Sequence, residues 1–91
     1  MTTSINDAPH GITLVLDTTD GKIVIGRFDC SDGREALLHD CATFEPGSGQ
    51  SPEEWVIETA TYGVDAQHRD YRVPVDSVRR WRKLCEVTTA S

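Results

Sequence analysis

The sequence predicts an all-β domain, and three observations carry that expectation. Two Asp-Gly pairs, Asp20-Gly21 and Asp32-Gly33, separate apolar runs over residues 16–44. Asp-Gly between such runs is a strong short-range hairpin signal, because both central residues of a type I′ turn need φ > 0. Gly26 interrupts the middle run; a residue without Cβ lets a strand bulge or bend sharply, as a small barrel must to close. The expected product is a tight three-strand meander.

The elements follow in order. Residues 1–10 are polar, and Pro9 and Gly11 limit any helix there to about one turn. Ile12, Leu14 and Leu16 alternate with Thr13, Val15 and Asp17, the period of a half-buried strand. Residues 22–30 (KIVIGRFDC) form a second strand and residues 35–44 (EALLHDCATF) a third, although EALLH alone suits a helix equally well. Residues 45–54 (EPGSGQSPEE) read as loop by composition. Residues 55–64 (WVIETATYGV) are rich in β-branched and aromatic side chains and read as a strand. Residues 65–70 then turn, and residues 71–75 (YRVPV) resume extended chain, with Pro74 placing them at an edge or strand end. In the last segment Asp76-Ser77 can cap a helix with Val78, Trp81 and Cys85 on one face, or precede a final strand. There is no internal repeat, and residues 87–91 read as a frayed tail.

Ninety-one residues make one domain with a modest core. A hydrophobic share of 37% beside 26% charged residues is lean but globular. No run of 18 apolar residues encodes a membrane span, and the N-terminal stretch lacks the basic-then-apolar order of a secretory signal. Three cysteines are then expected as reduced thiols, in a cytoplasmic or nuclear protein. The net charge of −6 is uneven: residues 1–68 hold three basic and twelve acidic side chains, residues 69–91 six basic and three acidic. Four of the nine basic residues fall in Arg79-Arg80-Trp81-Arg82-Lys83. The acidic body disfavours nonspecific nucleic-acid binding, while the basic strip can meet phosphate or an acidic partner locally.

The order of features resembles the Sm and Sm-like (LSm) family. The residues that carry the likeness are Asp20-Gly21, Gly26-Arg27-Phe28, Asp32, Leu37 and Asp40-Cys41-Ala42, followed by Val73-Pro74-Val75-Asp76-Ser77-Val78. It covers about residues 11–44 and 71–84. The resemblance implies a small five-stranded, strongly bent barrel, with a short or absent N-terminal helix and an expanded loop or hairpin between the third and fourth strands. Such a barrel needs residues 76–86 as its last strand, which favours strand over helix there. The domain is expected over residues 11–86, after a flexible segment 1–10.

Two departures bear on function. Where RNA-binding Sm proteins carry an Asn that reads a uracil edge, this chain has Ala36; where they carry a stacking Arg, it has Pro74. Neither can pair with a base edge or stack as a cation. A narrower likeness runs through Thr19-Asp20-Gly21-Lys22, Gly26-Arg27-Phe28-Asp29-Cys30-Ser31-Asp32 and Val73-Pro74. These are similar to the Sm-like auxiliary subunits of the N-terminal acetyltransferase C (NatC) complex. Ala36, and the lack of an Arg-x-x-Gly before Val-Pro, depart from that pattern.

No residues are nominated as catalytic. In His39-Asp40-Cys41 strand alternation sets 39 and 41 on one face and Asp40 on the other, so Asp40 cannot orient His39. Cys30, His39 and Cys41 lie on adjacent strands but lack close-paired metal-ligand spacing, with Cys85 a remote fourth. No metal or cofactor is expected. Asp20, Gly21, Gly26, Asp32 and Gly33 are read as turn and bend positions.

The function expected is that of a noncatalytic interaction subunit, not an enzyme. Its fourth and fifth strands would be open edges that take a partner strand, with contacts from Tyr71, Val73, Val75, Val78, Arg79, Arg80, Trp81, Arg82 and Lys83. The resemblance points to the catalytic and scaffold subunits of an acetyltransferase complex as partners, within a homo- or hetero-oligomer. The alternative is a ring-forming RNA-binding protein with a degenerate uridine site, using Arg72, Arg79, Arg80, Arg82 and Lys83 on phosphates.

Overall fold

The structure is a computed structural model that describes residues 5–47 and 49–87. Residues 1–4 and 88–91, parts of the expected N-terminal segment and tail, lie outside the described residues, as does Ser48. Among the described residues five antiparallel strands form one sheet: β1 (Thr13–Thr18), β2 (Ile23–Ser31), β3 (Glu35–Phe44), β4 (His68–Pro74) and β5 (Val78–Lys83). Their order is β4-β3-β2-β1-β5, so the fourth and fifth strands are the sheet's edges. One helix, α1 (Pro52–Tyr62), lies between β3 and β4, and 3-10 turns occupy Ile5–Asp7, Val75–Ser77 and Leu84–Glu86.

Both Asp-Gly pairs turn the chain, by a different geometry from the one expected. Only the glycines take positive φ, at 84° for Gly21 and 94° for Gly33; the aspartates act through their side chains instead. At the first turn Thr18 N donates to Lys22 O at 3.0 Å, enclosing three residues of which the last is left-handed. The Asp20 carboxylate accepts from the Thr18 hydroxyl and from Lys22 N. That of Asp32 accepts from Glu35 N and Arg34 N, both at 2.8 Å. These bonds favour the charged form and hold both carboxyls below the usual aspartate range.

The bend sits where Gly26 predicts it. Between the pairs Ile25↔Ala42 and Arg27↔His39 the register shifts, so Gly26 faces two residues, Asp40 and Cys41. Asp40 absorbs the extra length with φ 52°, the one positive φ outside glycine among the described residues. A Cβ on Gly26 would lie 2.2 Å from Cys41 Sγ, so the close approach of the two strands requires glycine. A second shift, between Phe28 and Cys30, leaves Asp29 unpaired on β2. The curled sheet brings β4 back toward the β1–β2 turn. Thr19 N donates to Ser77 O at 2.8 Å, and the Lys22 ammonium lies 5.7 Å from the Tyr71 ring centre.

The sheet has a core on each face. Inside the curl, Leu14, Leu16, Val24, Phe28, Ala36, Leu38, Cys41 and Val73 pack together, with Ile5 closing one end. Ile5, within the expected N-terminal segment, is 2% exposed and packs on this core, while Asn6, Asp7 and His10 are exposed. On the other face Val15, Ile23, Ile25 and Phe44 are covered by Val56 of α1, with Trp55 and Leu84 against them. Val15 is fully buried between buried Leu14 and Leu16, so β1 is not the half-buried strand its alternation suggests.

The largest correction concerns residues 55–64, expected as a strand and observed mostly within α1. The cause is a strong start and stop signal in the flanking residues. The Ser51 side chain accepts from Glu54 N at 3.1 Å, Pro52 opens the helix, Glu53 and Glu54 suit its positive end, and Gly63 closes it at φ 98°. Burial of Val56 and Thr59 one turn apart then outweighs the β propensity of this stretch. Part of the expected 45–54 loop therefore belongs to the helix, and the expected loop or hairpin between the third and fourth strands is a capped helix with flanking loops. Part of the expected 65–70 turn belongs to β4. The final segment is strand, as favoured, with a 3-10 turn at each end.

Candidate functional site

The free edge of β4 is defined by its hydrogen bonds. Gln67 N donates to Cys41 O at 2.7 Å and Val75 N to Arg34 O at 2.8 Å, both toward β3. Alternation between these points turns Arg69, Tyr71 and Val73 inward, and the main-chain groups of His68, Asp70 and Arg72 outward. Pro74 shares the outward parity, where its missing N–H costs no ladder bond. The edge thus offers main chain, and several of the side chains expected as contacts are wholly or partly buried. Val73 is buried, and Tyr71, Val75, Val78 and Trp81 pack on the inner core. Trp81, opposite Leu16 in the register, is partly buried against the inner core.

On β5 the basic strip is largely engaged with acids of the same chain. Arg80 reaches Asp17 at 2.8 Å, and Lys83 lies 3.7 Å from Glu86. Arg82 grips Glu53 of α1 through two nitrogens, each at 3.1 Å. That guanidinium holds the Glu53 carboxyl below its ordinary range, and the buried Arg82 Nε has no partner among the described residues. Arg79 is exposed; Arg72, the other basic residue proposed for phosphate contact, stands on the opposite edge strand. Ala36 is fully buried beside Leu38 and Val73. A base cannot reach it without opening the core.

The bulge at Asp40 separates His39 from Cys41, overturning the expectation that they share a face. Cys41 is fully buried against Gly26, and desolvation, with Asp40 and Asp70 nearby, pushes its thiol up to about 12. Such a thiol is inert as a nucleophile. His39 turns to the other side. Its Nε2 lies 2.8 Å from Asp29 Oδ2 and its Nδ1 2.7 Å from Asp70 Oδ1. The two carboxylates, Asp29 first, raise its pKa above the ordinary imidazole value, and His39 in turn lowers that of Asp29. His10 Nδ1 adds a contact of 2.5 Å to the Asp29 carbonyl.

Neither carboxylate was legible as a partner of His39. Asp70 becomes one through the register pair His39↔Asp70, and Asp29 through its unpaired position on β2. Among the described residues no three His, Cys, Asp or Glu side chains are placed to hold a metal ion, and Cys30 and Cys85 are exposed. Nor is any helix among them long and apolar enough to cross a membrane.

Fold and edges together define a small, mostly sheet domain, five antiparallel strands curled into a barrel-like form with one helix against its outer face. No known protein family and no curated protein matches the chain.

Proposed function

We propose that this chain is a noncatalytic interaction subunit that docks onto larger protein subunits by adding strands at its β4 and β5 edges. The observation that carries the reading is the pair of edge strands in the order β4-β3-β2-β1-β5, β4 presenting a row of outward main-chain groups that ends at Pro74. An unpaired edge is a template for another chain, and main-chain hydrogen bonds supply the affinity of strand addition.

The choice of partner rests on the resemblance to the Sm-like auxiliary subunits of NatC. In that reading acetyl transfer, acetyl-CoA and peptide binding belong to the catalytic partner, in the cytoplasm or nucleus. This chain stabilises and orients the assembly. The uridine-binding ring draws less support: Ala36 is buried, Pro74 replaces the stacking residue, and Arg80, Arg82 and Lys83 already face acids.

Affinity purification of the tagged protein from its own cell, with partners identified by mass spectrometry, tests the reading. Recovery of acetyltransferase subunits is the expected result. Light scattering showing a ring of six or seven chains, with tight and steeply salt-dependent binding of U-rich RNA, would overturn it.

A further inference from the structure

We infer that His39 is a proton-operated clasp on the β4 edge, pinning β4 more firmly to the body of the barrel when the imidazole is charged and loosening that hold when it is neutral. The geometry carries this. Both ring nitrogens face carboxylate oxygens, at 2.7 and 2.8 Å. An ionised carboxylate only accepts, and a neutral imidazole has one N–H; only the imidazolium donates on both sides. The clasp spans three strands, because Asp29 is on β2, His39 on β3 and Asp70 on β4.

Its surroundings set the direction of release. On β2, Arg27 lies 3.8 Å from Asp40 of β3 and lines the same cleft as His10, Asp29 and His39. From the N-terminal side His10 meets Asp29. On β4, Asp70 is flanked in sequence by Tyr71 and followed by Arg72, which line the same shallow surface as His39 and Leu37. The Asp70 side chain is 63% exposed against 34% for Asp29. Loss of the proton therefore frees Asp70, the better solvated of the two, and leaves two net negative charges in the Asp29–His39–Asp70 group in place of one. Asp70 is also one of the residues whose main chain faces outward.

The sign follows from the raised folded pKa. Stabilisation by the clasp is complete below the ordinary imidazole value of about 6.5 and is lost as pH rises through the higher folded value. Under the docking reading, on which the functional consequence rests, a partner strand meets a firm and less negative edge on the acid side.

The clasp is tested on the isolated protein. Imidazole NMR resonances of His10, His39 and His68 are followed through a pH titration, alongside hydrogen exchange of the Arg69, Tyr71 and Val73 amides. Wild type is compared at each pH with His39→Gln and Asp70→Asn. The His39 midpoint should lie above the ordinary imidazole value and fall in Asp70→Asn. Protection of those amides relative to His39→Gln should be roughly threefold or more greater at about pH 5.5 than at about pH 8.5. A His39 midpoint at or below the ordinary value, or a protection ratio independent of pH, would overturn the clasp. A partner that ignores β4 would overturn the docking reading and leave these two measurements unchanged.

Discussion

Replacing Gly26 by alanine puts a carbon into space already held by another strand. The new Cβ would lie 2.2 Å from Cys41 Sγ, 3.1 Å from Cys41 Cβ and 3.2 Å from the His39 carbonyl oxygen. The sulfur has no room to retreat, because Cys41 is fully buried among Leu38, Phe28 and Val24 and its backbone follows the left-handed Asp40. The strands must separate, or the bulge must move. Overpacking of a core costs about 1–3 kcal/mol, and disturbing the bulge brings Gly26→Ala toward the upper end. With a urea m-value of roughly 1–2 kcal/mol/M for a chain of this size, the midpoint should fall by about 1–3 M. Cys41→Ala removes the sulfur and leaves a small void. In the double variant the two losses should fall short of additivity by about 1 kcal/mol or more, since the main clash has gone. Urea unfolding of the four proteins, followed by tryptophan fluorescence, gives all the terms. A Gly26→Ala loss below about 0.5 kcal/mol, or strict additivity with Cys41→Ala, would refute the close-approach account.

Ser51→Ala removes the acceptor for Glu54 N and should cost about 1 kcal/mol, read as a lower melting temperature; an unchanged value would mean that α1 is held by packing alone. A thiol-reactive chromophore should titrate Cys30 and Cys85 quickly in the native protein and Cys41 only after denaturant is added, because Cys41 is fully buried and its pKa is near 12. Rapid modification of all three in buffer would contradict the fold around Gly26. Arg72→Pro deletes an outward amide of β4 and should leave the fold intact by circular dichroism while lowering partner recovery severalfold. Tyr71→Pro deletes an inward amide and should destabilise the sheet itself by roughly 1–3 kcal/mol; equal effects of the two would contradict the assigned parity of the edge.

Much of the sheet was legible because its signals are local. Asp20-Gly21 and Asp32-Gly33 mark the turns whatever else the chain does, and Gly26 announces a bend because nothing larger fits there. The third strand was read at residues 35–44, as observed. The helix was missed for a physical reason: residues 55–64 favour strands one at a time, whereas Ser51-Pro52-Glu53-Glu54 and Gly63 act on the segment as a unit. That capping signature stood in a stretch whose composition says loop. The clasp at His39 was missed because simple alternation fails there. One bulge adds a residue at Asp29 and another at Asp40, and each resets which side chains share a face. The same resets placed Cys41 in the core and undid the expected kinship of His39 and Cys41.

Helix α1 has a consequence for how the chain tolerates change. With one core inside the curl and another beneath the helix, β1 and β2 have little wet side over most of their length. Saturation mutagenesis should therefore show continuous bands of intolerance at 14–16 and 23–25, with no every-other-residue rhythm. Polar scanning for surface hot spots belongs on the outer strands, where a lost phenotype reports recognition instead of collapse.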